Sequence, residues 1–243
     1  MRTLGLLGGM AWPSTLDAYR WINQEIGRRL GGVHSARLLL WSADFAEIER
    51  LQARGEWEAA GALLADAGQR LERAGAEGLV LCTNTMHKVA PTIEAATTIP
   101  LLHIADATAD AVVADGVSRV LLLGTRFTME EPFLLDRLRG RGLDVLVPDA
   151  ADRKTVHDVI YTELVHGHIE DASREVYRAV VQRALARGAT GVIAGCTEIE
   201  LLLRPEDVTV RYYPTMRLHA SAAAAWMVAD EPGGPAGRRL GPG

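Results

Sequence analysis

The chain contains two cysteines, and they stand in similar settings: Cys82 in VLCTNTMH (Val80–His87) and Cys196 in IAGCTEIE (Ile193–Glu200). Each ends an apolar run and is followed at once by a threonine, Thr83 or Thr197. Each also precedes what reads as a helix start. Thr197 and Glu200 have capping-box spacing, and Thr83, Asn84 and Thr85 offer caps ahead of MHKVAPTIEAA. A helix N-terminus supplies free amide donors and partial positive charge, which lower a thiol's pKa and hold a carboxylate. The same few residues could therefore make a thiolate and bind an acid. Two thiols facing one small anionic ligand from opposite sides suit one reaction above others, the removal of a proton from an α-carbon on one face and the return of a proton on the other. One cysteine starts as thiolate base and its counterpart as thiol acid, and the reverse reaction exchanges the roles. A thiol pKa of about 8.5 is low enough for helix ends to bring it towards neutrality.

Either cysteine alone is better read as a small buried hydrophobe at a strand end. The repeated Cys-Thr with a helix start after it favours catalysis for the pair. A metal site has less behind it, since Cys82 and His87 are accompanied by no CxxC or HxxxH. The turn LGGMAW (Leu7–Trp12) lets backbone approach a ligand at Gly8 and Gly9, and it is equally ordinary turn chemistry; no G-x-G-x-x-G dinucleotide fingerprint is present. LLGTRFTME (Leu122–Glu130) holds the matching place in the second half. Thr125 and Thr128 are its candidate hydroxyl donors, with Thr128 equally a cap for the helix entered through MEEP. His87, His103 and His219 read as packing or capping residues.

The elements that must carry these residues alternate. Apolar runs at Leu4–Leu7, Arg37–Trp41, Gly78–Leu81 and Arg119–Leu123 read as strands, with helical segments between them. This is the pattern of an α/β fold with parallel sheet covered by helices. Ser14 and Asp17 have capping-box-like spacing ahead of the first helix, and another helix spans Glu56 to Ala74 with Gly75 as its stop. AGAEGLVLCT (Ala74–Thr83) resembles RGATGVIAGCT (Arg187–Thr197) with a one-residue offset near the cysteine, so the two halves read as one design used twice. The division expected is an N-terminal α/β lobe at 1–98, a C-terminal α/β lobe at 99–216, a helix at 217–229 that can pack back onto the first lobe, and a disordered Gly/Pro-rich tail at 230–243.

At 243 residues and 48% hydrophobic, the chain is long enough for two such lobes, each with its own core. A net charge of −5 without a basic cluster argues against nucleic acid as a partner. No apolar stretch approaches the ~20 residues needed to cross a bilayer, and no cleavable leader is evident, so no membrane partner and a cytoplasmic location are expected. A reducing compartment would keep both cysteines as thiols.

With LGGMAWPST, CTNTMHK and GCTEIELL in view, the chain resembles the aspartate/glutamate racemase superfamily, and within it the broad-specificity amino acid racemase branch. The likeness runs from residue 2 to about 228 and includes GGVHSARLLLWSADFAEIE, RGEW, LHIADAT and LLGTRFTM. It implies a racemase with no cofactor and no metal, two pseudo-symmetric lobes with the active site in the cleft between them, an amino acid as substrate and a homodimer. Carried onto matching positions, Cys82 and Cys196 are the two proton donor/acceptors. Thr83, Asn84 and Thr85 bind the substrate carboxylate, Thr197 and Glu198 do so from the other lobe, and Met10 and Gln52 border the cleft. Having both cysteines points to reversible racemisation. Two departures stand out. YPTMRLHA puts Pro214 before Thr215 where the family usually has Asp, and the segment Glu163–Gly167 offers Val165 and His166 where members devoted to acidic substrates tend to carry a lysine. A buried second carboxylate without a cation is costly, so a neutral or polar amino acid is preferred over aspartate or glutamate. Alternatives left open are an aspartate or glutamate racemase, a hydantoin racemase, maleate isomerase or arylmalonate decarboxylase on the same fold, and a protein that senses an amino acid with both thiols structural.

Overall fold

A computed structural model of the chain describes residues 1–230, so the expected tail, apart from Asp230, lies outside the described residues. The first half runs β1 (Leu4–Gly8), α1 (Trp12–Leu30), β2 (Leu38–Ser42), α2 (Phe45–Arg54), α3 (Trp57–Arg73), β3 (Gly78–Leu81), α4 (Ala90–Ala96), β4 (Leu101–Leu102) and α5 (Ile104–Ala114). The second runs β5 (Arg119–Leu123), α6 (Arg126–Glu130), α7 (Pro132–Gly140), β6 (Asp144–Leu146), α8 (Ala150–Thr162), α9 (Asp171–Ala186), β7 (Gly191–Ala194), α10 (Ile199–Leu202), β8 (Arg211–Pro214) and α11 (Thr215–Met227). Two four-stranded sheets result, ordered β2-β1-β3-β4 and β6-β5-β7-β8, with every pairing parallel. The same order appears twice, which gives the expected duplication a structural form. The registers agree as well: the last residue of β3, Leu81, lies opposite Leu7 of β1, and the last residue of β7, Ala194, lies opposite Leu123 of β5.

Two compact units are distinguished. One comprises Met1–Cys82, Val89–His103 and the described residues from His219 on; the other comprises Thr83–Lys88 and Ile104–Leu218. In the first, β1 pairs on both sides, and all of LGLLG is buried, the continuous apolar run expected of a central parallel strand. The later part of α11 is tied to this unit. His219 Nε2 lies 2.6 Å from the Leu102 carbonyl, Arg2 Nη1 donates to Trp226 O at 2.8 Å, and the Trp226 ring rests where any Cβ on Gly78 would come within 2.6 Å of it. The second unit has its core between the sheet and α8 and α9: Leu121, Leu123, Val156, Ile160, Tyr177, Val180 and Val192. The Tyr177 hydroxyl is satisfied by donating to Val156 O at 2.8 Å.

Strand positions follow the sequence reading within a residue, and α3 ends before Gly75, whose φ is +98°. The start of α1 does not. It begins at Trp12 with Pro13 in its first turn, and Ala11 at φ +76° is the N-cap with no side-chain cap bond. Ser14 lies buried inside the helix, and the Thr15 hydroxyl accepts from Gly9 N at 2.9 Å, so the polar residues there hold the preceding turn. Proline preset for a first turn decided the start in place of the serine.

Candidate active site

Both cysteines sit just past the carboxyl end of the third strand of their sheet, the edge at which open α/β sheets bind ligands. They are not on the same rung. The amide of Cys82 donates to Leu7 O at 2.9 Å, and the corresponding bond in the second half, to Leu123 O at 2.7 Å, comes from Gly195. A Cβ at Gly195 would lie 2.8 Å from Leu123 O and 3.1 Å from Thr128 Cγ2, so no thiol fits on that rung and Cys196 follows one residue later. The offset seen in sequence thus has a steric cause.

Cys82 is fully buried, and burial pushes its thiol up to about 12. Cys196 is half-buried, and its thiol donates to Glu198 Oε2 at 2.9 Å. Burial first, and then the neighbouring Glu198 charge, hold its pKa well above the ordinary value. The expected lowering of both thiols by helix ends is therefore absent. Cys82 is followed by a 3₁₀ turn, Thr85–Val89, and Cys196 by a helix of four residues capped at Glu198 without a side-chain bond. Such short dipoles do not outweigh desolvation. The capping box anticipated from Thr197 and Glu200 does not form either; the Glu200 amide goes to the Thr197 carbonyl at 3.1 Å. Glu198, which the resemblance places at the substrate, accepts the Cys196 thiol proton.

Within the second unit the other candidates form two clusters. Asn84 Nδ2 donates to Thr215 Oγ1 at 3.0 Å, and the Thr215 hydroxyl donates to the Ala194 carbonyl at 2.9 Å. Thr85 Oγ1 lies 3.3 Å from Thr125 Oγ1, which lies 3.3 Å from Thr128 Oγ1. Thr125, and not Thr128, caps α6, accepting from Thr128 N at 3.4 Å. His87 serves structure: Ile104 N donates to its Nε2 at 3.2 Å, so the neutral ring's proton sits on Nδ1 and goes to Thr83 O at 2.8 Å. Thr197 is buried near Cys196 in sequence, and Met10 and Gln52 are buried in the first unit with Cys82. Thr215 was not singled out as a site residue from sequence. It lies one residue past β8, and nothing in its neighbourhood in the chain signals a bond to Asn84. Among the described residues no group of three or more His, Cys, Asp or Glu side chains could hold a metal ion, and no helix is long and apolar enough to cross a membrane.

Two like-ordered parallel sheets, each with a cysteine beyond its third strand, define a class of duplicated α/β proteins with a thiol in each half. The profile of the Asp/Glu/Hydantoin racemase family matches residues 7–223, and the chain belongs to that family. It is 51% identical to a Yersinia pestis protein provisionally described as an Asp/Glu racemase, with a TM-score of 0.90 over 94% of this chain and 100% of that one. It is 31% identical to an aspartate racemase homologue from Pyrococcus horikoshii OT3, with a TM-score of 0.81 over 95% of this chain and 100% of that one. Over 138 residues it is 23% identical to the broad specificity amino-acid racemase RacX of Bacillus subtilis, an alignment that spans 57% of this chain and 59% of RacX.

Proposed function

We propose that the protein racemises free amino acids without pyridoxal phosphate, using Cys82 and Cys196 as the paired proton carriers. The observation that carries this reading is the repeat of a thiol beyond the third strand of both sheets, one of the two already bonded to a carboxylate. Cys196 passes its proton to Glu198 and, as thiolate, takes the α-proton; the Cys82 thiol returns a proton to the planar carbanion from the other side. The enzyme is then left with its protons exchanged, ready for the opposite enantiomer. The positive α-ammonium of a bound substrate favours thiolate beside it, which offsets part of the burial that raises both thiols. Thr83, Asn84, Thr85, Thr125 and Thr197 hold the groups on the α-carbon, and Met10 and Gln52 border the side chain.

The substrate is a neutral or polar amino acid. Val165 and His166, in the short 3₁₀ turn Leu164–His166, stand where the resemblance puts a lysine in members devoted to acidic substrates, and the lack of that lysine supports the preference. RacX, with its broad specificity, is a similar protein in the same sense. The reading extends to a cytoplasmic homodimer that makes D-amino acids; Trp12, Leu16 and Tyr19 form an exposed apolar row on α1 and support a covered surface there. The test is a panel of L-amino acids incubated with reduced protein and read by chiral chromatography. Conversion of one or more neutral or polar members to the D-form is expected. Turnover confined to aspartate or glutamate contradicts the specificity, and no conversion of any member contradicts the activity.

A further inference from the structure

The Asn84 side chain is nearly all buried, 5% exposed, and its two polar atoms fare differently. Nδ2 donates to Thr215 Oγ1, while Oδ1 has no hydrogen-bond partner among the described residues. A carboxamide can ordinarily be turned over, exchanging the two atoms. Here it cannot. The single hydroxyl proton of Thr215 is committed to the Ala194 carbonyl, which can only accept, so Thr215 has only lone pairs left for Asn84. The amide must present its NH₂ to Thr215, which leaves Oδ1 as a buried acceptor in want of a donor. Backbone bonding holds the segment in place, since Asn84 O accepts from His87 N at 3.1 Å and His87 in turn fixes Thr83 O.

A group that satisfies this oxygen must bring N–H or O–H. A carboxylate brings only lone pairs, whereas the α-ammonium of an amino acid brings three donors and a positive charge. We infer that Asn84 Oδ1 accepts a hydrogen bond from the substrate's α-ammonium group and that Thr215, through the Ala194 carbonyl, is the positioning residue that turns the oxygen that way. This rests on the racemase reading and corrects one part of the resemblance, which assigned Asn84 to the carboxylate. It also gives a reason why a threonine stands directly after β8: its hydroxyl connects the end of β7, two residues before Cys196, to a residue two after Cys82. A consequence is selectivity for a free ammonium, so acids lacking the α-amino group gain nothing from Asn84.

The experiment compares calorimetric Kd values for two ligands, the neutral amino acid of the panel that wild type binds most tightly, used as the racemate, and its des-amino carboxylic acid, in wild type, Asn84→Ala, Thr215→Val and Thr215→Ser, with turnover recorded in parallel. Loss of a charge-assisted bond weakens the amino acid by about tenfold or more in Asn84→Ala, while the des-amino acid changes by less than about twofold. Thr215→Val shows the same selective loss, and Thr215→Ser, which keeps the hydroxyl, restores wild-type behaviour. Thr215→Ala replaces Thr215→Val if the latter does not fold. Equal weakening of both ligands overturns the ammonium contact, as does the absence of any amino acid binding by wild type. A selective loss in Asn84→Ala without one at Thr215 overturns the positioning role. Selective binding with no turnover by wild type removes the racemase reading and leaves the Asn84 assignment standing.

Discussion

The two thiols are chemically unequal, although the sequence around them is alike. Cys196 has a proton acceptor built beside it in Glu198, and Cys82 is fully buried with its pKa raised to about 12. On the proposed mechanism the Cys196 proton moves within the pair, so kcat/KM is expected to change little over about pH 7 to 9. In Glu198→Gln it must leave for solvent from a thiol whose burial, the larger cause of its raised pKa, remains. A loss of about 100-fold near neutral pH is expected. Activity should then climb about tenfold per pH unit, and a flat profile in the variant would remove the role given to Glu198. The two Cys-Thr pairs stand out in the sequence as candidates because they recur, and Asn84 and Thr85 because the family motif that carries them is local. Thr215 was not, because its bond to Asn84 joins residues 131 apart in the chain. The thiol pKa shifts were misjudged because desolvation depends on packing that no short motif records.

Elements were read well where apolar runs are continuous and poorly where polar residues compete for helix starts. β3 and β5 fall on the expected residues, while α1 begins earlier than its serine suggested and Thr197 caps nothing. The sheet ends also explain their glycines. A Cβ on Gly8 would meet Thr15 Cγ2 at 2.4 Å, and one on Gly124 would meet Thr128 Cβ at 2.9 Å, so the first strand of each half ends against a threonine of the next helix. Gly195 is tighter in kind, since the atom in the way is the Leu123 carbonyl, and backbone cannot step aside cheaply. Gly195→Ala is therefore expected to cost about 1–3 kcal/mol in urea unfolding. A change within about 0.5 kcal/mol would show that the strand end yields and that the offset of Cys196 has another cause.

For the whole molecule, raised thiol pKa values tie stability to pH. The unfolded chain ionises Cys82 near its ordinary value of 9.0, the folded protein only at about 12, so between these values the unfolded state holds fewer protons and stability falls as pH rises. The decline from this one group is about 1.4 kcal/mol per pH unit. Urea unfolding of Cys82→Ala from about pH 9 to 11 should show a slope shallower by that amount; parallel slopes would mean that the thiol is less desolvated than the fold implies. The duplicated order of the sheets was only half legible, because helix–Gly–strand connections recur in any α/β protein and pairing order is set by contacts between distant strands. The central claim is that two thiols invert one carbon, and it is tested most directly by turnover of a single enantiomer in D₂O at early conversion. The account expects deuterium at Cα of the product and almost none in the recovered substrate, with the labelled product lost in Cys82→Ser and in Cys196→Ser. Equal labelling of substrate and product in wild type, or labelled product that survives either substitution, would contradict it.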